Sequence, residues 1–416
     1  MRAVVAFLAL ALAVLAASCS HRERANPLDA ANPNTGGAPQ GFNAIADAAL
    51  VQLRWVARPD LAIDGFQIFR LDPGDANYHP LTGVIGSTES GAFDSSAQPG
   101  LEYRYRIYYV IAGTLGTRFA EDVATPGPLS PWVVDAGRGR LLRLSPDGRD
   151  VLIARPGFDA AGSVAVTPGR GPVWVGDELA STVDIIDPND LLGPILRGLG
   201  APAGIALDPI DHTGWICDRS GSVRHFQSSG ATASPAALLL LDDPAGIATD
   251  PHDGAVWVTE FGGNRVRRYQ RDGLPAGARP LLAPSRVAVD STNGQAWVTS
   301  IASGWVWRVT PGVTVLDSLR LLAPVGVALD WRRRVAWICD VDGDQLVAID
   351  MDTRAERFRV GGLGNPWDVT VNLANGEAWV VARGSARAFR LSRTGEVIAS
   401  VPGLGDPFGI RLDPGP

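Results

Sequence analysis

Short apolar runs separated by Gly-, Pro- and Asp-rich turns fill most of this chain, and glycines break every element before a helical face could form. The stretch 255–269, AVWVTEFGGNRVRRY, carries the pattern in its plainest form. Its apolar start (Ala255, Val256, Trp257, Val258) reads as a strand, Phe261-Gly262-Gly263-Asn264 as a tight turn, and 265–269 as a second strand. Just before it, 245–254 reads as another short strand ending in a Pro/Gly turn. The unit recurs. Its tryptophans are Trp132, Trp174, Trp215, Trp257, Trp297, Trp337 and Trp379, with successive spacings of 42, 41, 42, 40, 40 and 42 residues. A fixed period in this range marks a repeat architecture.

Each tryptophan after the first follows an apolar strand, at 164–168, 204–209, 246–251, 287–291, 326–330 and 369–372. A seventh such strand, 409–414, ends the chain with no tryptophan strand after it, while Trp132 opens the array with no partner strand before it. That offset predicts that 409–414 pairs with 131–135 and closes a ring, which removes the open edges of a row of sheets. The fold expected is all-β, with seven four-stranded blades over 127–416.

Upstream, 41–126 reads as a run of short strands: 49–55, 65–70, 101–111 and one near 118–125. Tyr103 and Tyr105 alternate with Arg104 and Arg106, the half-buried strand pattern. Trp55, the run DGFQIFR (64–70) and the run QPGLEYRYRIYYV (98–110) resemble the fibronectin type III family. That resemblance implies a β-sandwich, with Tyr103 at the tyrosine-corner position, and a spacer or adhesive role. The repeat order Pro-x-Gly-Ile-Ala-x-Asp, x-Trp-Val-x-Asp, Asn-Arg-Val resembles the NHL and YVTN repeat propellers, and single repeats resemble virginiamycin B lyase and the gluconolactonase-like propellers. The likeness implies a seven-bladed β-propeller closed by its N- and C-terminal strands, and leaves function open because this fold hosts many activities.

The first residues change the picture of location. After Arg2, residues 3–17 are apolar, too short a run for a comfortable membrane span, so 1–18 reads as a signal peptide. It ends Leu15-Ala16-Ala17-Ser18-Cys19, which resembles the lipobox of bacterial lipoproteins, with Ala16 where leucine is commonest. The resemblance implies acylation at Cys19 and, with Ser20 following, sorting to the outer membrane. Residues 19–40, rich in Pro, Asn and Gly, read as an extended tether. The 416 residues carry a formal charge of −7, which argues against a nucleic-acid partner. Cys217 and Cys339 occupy one slot in two repeats, two residues after a tryptophan, and read as small buried side chains.

Candidate chemistry concentrates at one end of the repeats. Asp135, Asp177, Asp218, Glu260, Ser300, Asp340 and Ala382 each follow a tryptophan by three residues. They form either a carboxylate ring that takes a cation or basic partner, or a set of turn caps. At the inner-strand starts the pattern Pro-x-Gly varies: Trp367 and Phe408 place aromatics there, and Arg286 and Asp368 replace the glycine. These departures, with Glu260, are the candidate binding residues. The lyase resemblance is sharpest at Trp257-Val258-Thr259-Glu260 and implies a histidine and a divalent metal. His212 and His252 fall in turns at the opposite end, His225 on an outer strand, and His21 and His79 outside the repeats. Asp340-Val341-Asp342-Gly343-Asp344 lacks the glycine and glutamate positions of a calcium loop. The Arg332–Arg334 run reads as a solvated turn. The expectation is therefore a lipid-anchored envelope protein whose propeller binds a protein or glycan, without a resident cofactor. The alternative is a metal-assisted lyase or lactonase, in which a divalent cation would join Glu260 and Asp218.

Overall fold

The computed structural model describes residues 26–413 except 33, 47–49, 99–100, 102, 125–129, 145–150, 168–170, 188–191 and 210. The signal-peptide reading and Cys19 lie outside the described residues. The chain divides into two compact units, one built mainly from residues up to Ala124 and one mainly from Thr125–Pro416. Among the described residues no helix is long and apolar enough to cross a membrane.

In the first unit, Asn43–Ala46, Val51–Arg54 and Gly91–Asp94 form one sheet in that order. A second sheet runs His79–Pro80, Gly65–Leu71, Tyr103–Ile111, Thr114–Ala124, with Ile85–Gly86 also paired to Gly65–Leu71. The alternation read in the sequence sets the faces: Tyr103, Tyr105, Ile107 and Tyr109 are buried, while Arg104 is exposed. Trp55 packs on Phe66 with ring centroids 5.4 Å apart. Buried Asp94 accepts from Arg70 at 2.7 Å and from the Tyr105 hydroxyl at 2.9 Å, so the charge inside this core is paired. Tyr103 lies beneath the Arg70 guanidinium, 4.8 Å from ring centroid to Cζ.

The described residues of 26–40 are not extended. Asn26, Asp29 and Asn32 each accept the amide two residues on, at 2.8 to 3.0 Å, building successive Asx turns. Thr35 donates to the Pro27 carbonyl, and Arg58 and Arg118 donate to the carbonyls of Asn34 and Gly36. The Asn/Asp/Pro content that suggested a tether supplies turn-forming side chains instead.

The second unit holds seven four-stranded antiparallel sheets among the described residues. Six of them follow chain order: an inner strand, a tryptophan strand, then two more. The inner strands are Ala161–Val166, Pro202–Leu207, Pro244–Thr249, Arg286–Val289, Pro324–Asp330 and Pro366–Val371. The remaining sheet runs Val151–Pro156, Arg140–Leu144, Ser130–Asp135, Pro407–Asp413, so its inner strand comes from the far end of the chain. Ile410 pairs with Val133 and Gly409 with Val134. Each inner strand touches the next, and Pro407–Asp413 touches both Pro366–Val371 and Ala161–Val166, so the inner strands form a closed ring.

Every repeat tryptophan is buried. Each packs toward the following sheet, as Trp174 does against Ile205, Ile216 and Phe226. A Cβ on Gly214 would stand 2.6 Å from the Trp174 ring, which explains why a small residue precedes Trp215. At the seam Trp379 packs with Val133, Leu142 and Ile410, so the ring closes through the same contact that joins neighbouring sheets elsewhere. The glycine of Pro-x-Gly has a related cause. A Cβ on Gly246 would meet the Ser285 carbonyl at 2.5 Å, and one on Gly326 the Trp367 carbonyl at 2.7 Å. Inner strands can approach this closely only where the side chain is absent.

Cys217 and Cys339 are free and fully buried, and burial raises both thiol pKa values. The arginine run is not a solvated turn: Arg333 donates to the Leu373 and Ala374 carbonyls at 3.0 and 2.5 Å, and Arg334 to Asp290 at 2.7 Å. It staples adjacent sheets together.

Candidate functional site

The carboxylates that follow the tryptophans point into the sheets. Asp218 accepts the amides of Gly200 and Ala201 at 2.8 and 3.0 Å, and both the amide and hydroxyl of Ser220. Asp177 binds the amides of Asp159 and Ala160, Asp340 those of Leu322 and Ala323, and Asp135 those of Gly405 and Asp406. These amides belong mostly to the loop that leads into the same sheet's inner strand. In the five sheets that carry it, the acid therefore fixes where the inner strand begins, rather than capping only its own turn.

Glu260 is the longer variant of the same device and does not reach the central cavity. It is fully buried, accepts the Asp242 amide at 2.9 Å, and is held by Arg265 at 2.8 and 2.9 Å and by Arg267. Burial alone would raise its pKa, but the two guanidinium groups and the amide outweigh burial and hold it below the usual glutamate value. Asp340 and Asp344 of the calcium-like run are likewise occupied, Asp344 by the amides of Gly364 and Asn365. His225 stacks on Trp215 with centroids 3.8 Å apart, between the Thr213 hydroxyl and the Pro235 carbonyl. Among the described residues no group of three or more His, Cys, Asp or Glu is placed to hold a metal ion.

A different set lines the open centre. In six inner strands the register shifts at the start, as between Pro202 and Gly204 or Pro366 and Asp368. The extra residue of such a β-bulge is turned out of the ladder. It is Gly162, Ala203, Ala245, Trp367 or Phe408, and Val325 lies within the shift between Pro324 and Val327. All six border one cavity of about 260 Å³ at the mouth of the ring. Glu178, Arg219, Phe261 and Ile301, four residues after their tryptophans, complete its wall. These four were missed in the sequence. Strand alternation was the available signal, since a residue one place beyond the buried acid faces the opposite way.

Below the mouth the cavity narrows to a throat of about 30 Å³, lined by Ser163, Gly204, Ile247, Arg286, Val327, Asp368 and Arg411 among others. Arg286, Trp367 and Phe408 thus meet at the mouth, with Asp368 directly below and Arg286 bordering both spaces. Trp367 and Phe408 lie 5.2 Å apart, and the Arg383 guanidinium packs over both rings at 4.5 and 4.9 Å. Arg383 is itself clamped by Asp406 at 2.6 and 2.7 Å. Asp368 accepts the Ile410 amide and Arg411. The four most exposed large apolar side chains of the described residues, Leu179, Leu240, Leu282 and Leu322, are 60 to 91 % exposed and stand in the loops around this same end.

No family model matches the sequence, and a search of the curated proteins finds no match either. Solved structures do resemble it. A functionally unknown protein from Desulfotomaculum acetoxidans shares 16 % identity at a TM-score of 0.60, over 68 % of this chain and 98 % of that one. Virginiamycin B lyase from Staphylococcus aureus shares 17 % at 0.53, over 68 % and 95 %. A streptogramin B lyase shares 16 % at 0.52, over 60 % and 86 %. The second unit therefore has a fold of the virginiamycin B lyase-like β-propeller type. At this identity the likeness carries the fold alone.

Proposed function

We propose that this is a lipid-anchored protein of the bacterial envelope, whose second unit is a seven-bladed β-propeller that binds an envelope protein at its channel mouth. The observation that carries the binding role is the mouth itself. An Arg, Trp and Phe cavity sits inside an arc of strongly exposed leucines, a composition enriched at protein interfaces. A glycan is the second reading, favoured by the Trp367–Phe408 pair as a stacking platform. The first unit is read as a fibronectin type III sandwich, and its sheet orders support that reading. Acylation at Cys19 and outer-membrane sorting rest on the N-terminal sequence.

The enzyme alternative draws on the two lyases among the structural neighbours. Against it stands Glu260, whose oxygens are held by Arg265, Arg267 and the Asp242 amide and so are unavailable to a metal or substrate proton. Thermal shift and bound-metal analysis with Mn, Ca and Zn decide the point. Stoichiometric metal would restore the lyase or lactonase reading.

Two experiments test the proposal. Full-length protein displayed on a sensor should bind components of an envelope fraction, and Trp367→Ala with Phe408→Ala should abolish that binding while the protein stays folded by circular dichroism, at a Tm lowered by the packing those rings lose. Binding unchanged in that variant would exclude the mouth. For the anchor, Cys19→Ala should move the protein from membrane to soluble fractions, and persistence in the membrane would refute acylation there.

A further inference from the structure

The arginines around the mouth are paired, with one exception. Arg383 is clamped by Asp406, Arg411 reaches Asp368 at 2.7 Å, and Arg219 reaches Asp243 at 2.9 Å. The Arg286 side chain makes no hydrogen bond or ion pair with any described residue, its backbone alone pairing with Thr299. Its side chain is half-buried and lines both the mouth and the throat of the central cavity. Burial pushes its pKa below the usual arginine value. Asp368 opposes that shift at a distance, while Arg411 and Arg219 add to it.

An unpaired cation in such a place is costly, and folded proteins ordinarily pair or remove it. Here the position matters as well. Arg286 replaces the small inner-strand residue found at Gly204, Gly246, Gly326 and Gly409, so the guanidinium enters a space that other repeats leave empty.

We infer that Arg286 is an anion anchor, seating a carboxylate of a bound polypeptide at the floor of the mouth while Trp367 and Phe408 cover the apolar group that carries it. This deepens the proposed binding role and rests on it. Three features select the ligand. One uncompensated positive charge suits a monoanion, and the nearby carboxylates of Asp368 and Glu178 oppose a dianion such as phosphate. The planar guanidinium matches a carboxylate in two parallel hydrogen bonds. The wall beside it is apolar, formed by Val325, Ile301 and the two aromatic rings, so the group bearing the carboxylate is apolar too. The exposed leucines around the mouth favour a polypeptide as the source over a sugar acid.

The probe is N-acetyl-L-phenylalaninate, with its uncharged amide as a control of the same shape, titrated into full-length protein and followed by tryptophan fluorescence. The acid should bind roughly tenfold or more tightly than the amide, and Arg286→Gln should erase that difference. Arg286→Lys should keep part of it. Because Arg286→Gln removes an unpaired charge, its Tm should equal or exceed that of the wild type, and a lower Tm would mean that the guanidinium is a structural partner. Equal binding of acid and amide, an unaffected Arg286→Gln protein, or inorganic phosphate binding more tightly than the acid would each overturn the assignment. Glucuronate binding as tightly as the probe would overturn the choice of a polypeptide. If the envelope partner is lost in Trp367→Ala with Phe408→Ala but kept in Arg286→Gln, the mouth remains the binding site and the carboxylate assignment falls.

Discussion

Replacing Asp218 by alanine separates a scaffolding acid from a ligand-binding one. Asp218 is only 2 % exposed and accepts four hydrogen bonds at 2.7 to 3.0 Å, three from backbone amides. A hydrogen bond to a charged group contributes about 1.5–3 kcal/mol, and a buried donor left unpaired costs about 1–3 kcal/mol. Gly200 and Ser220 are exposed, so water can rescue their amides, while Ala201 is half-buried and recovers less. The net loss expected for Asp218→Ala is about 3 kcal/mol, since the individual terms are not additive. For a unit of this size that lowers Tm by on the order of 6 °C. Asp218→Asn keeps one acceptor oxygen and should lose about half as much. Urea unfolding followed by tryptophan fluorescence measures both, with the slope m unchanged. A wild-type urea midpoint for Asp218→Ala would refute the reasoning and return the acid ring to the list of candidate sites.

Further expectations follow from the same contacts. His225 is buried, which depresses its pKa below the usual value, so its contribution is complete above about pH 6.5 and is lost as pH falls through the folded value. His225→Phe should remove that step from a plot of urea midpoint against pH. For Asp218 and Glu260, burial acts to raise the pKa, but their hydrogen-bond partners win and both lie below the ordinary values. Their stabilisation is complete above about pH 4.3 and disappears as pH falls through the folded values. Asp218→Asn should flatten that part of the curve, and an unchanged acid limb would count against it. Ile410, fully buried in the seam with Val133, Leu142 and Trp379, should cost about 2–5 kcal/mol when cut to alanine. An unaltered Tm would mean that the ring does not depend on its closing strand.

The fold of the second unit could be read because one residue repeats. Trp132 and its six counterparts fix the period, and the unpaired strand at 409–414 points to its partner, since only that pairing leaves no edge. The mouth could be read in part. Arg286, Trp367, Asp368 and Phe408 stand out as departures from Pro-x-Gly, but the bulge that turns Trp367 and Phe408 inward is a register property that no single residue announces. Glu260 was drawn to the site by its neighbours in sequence. Arg265 and Arg267, which hold it, lie on the next strand and pair with it only once the hairpin forms. The small strands of the first unit, such as His79–Pro80 and Ile85–Gly86, carry too few apolar residues to show a period of two. At 26–40 a polar composition concealed Asx turns, because composition does not say whether a side chain bonds its own backbone or water.

If recognition belongs to the mouth and stability to the acid ring, substitutions at the two places separate binding from melting. The most direct test compares Arg286→Gln/Trp367→Ala/Phe408→Ala with Glu260→Gln, measuring envelope-partner binding and Tm for each. The triple variant should lose binding while staying folded by circular dichroism, and Glu260→Gln should keep binding and melt several degrees lower. Binding lost in Glu260→Gln and retained in the triple variant would refute that division of roles.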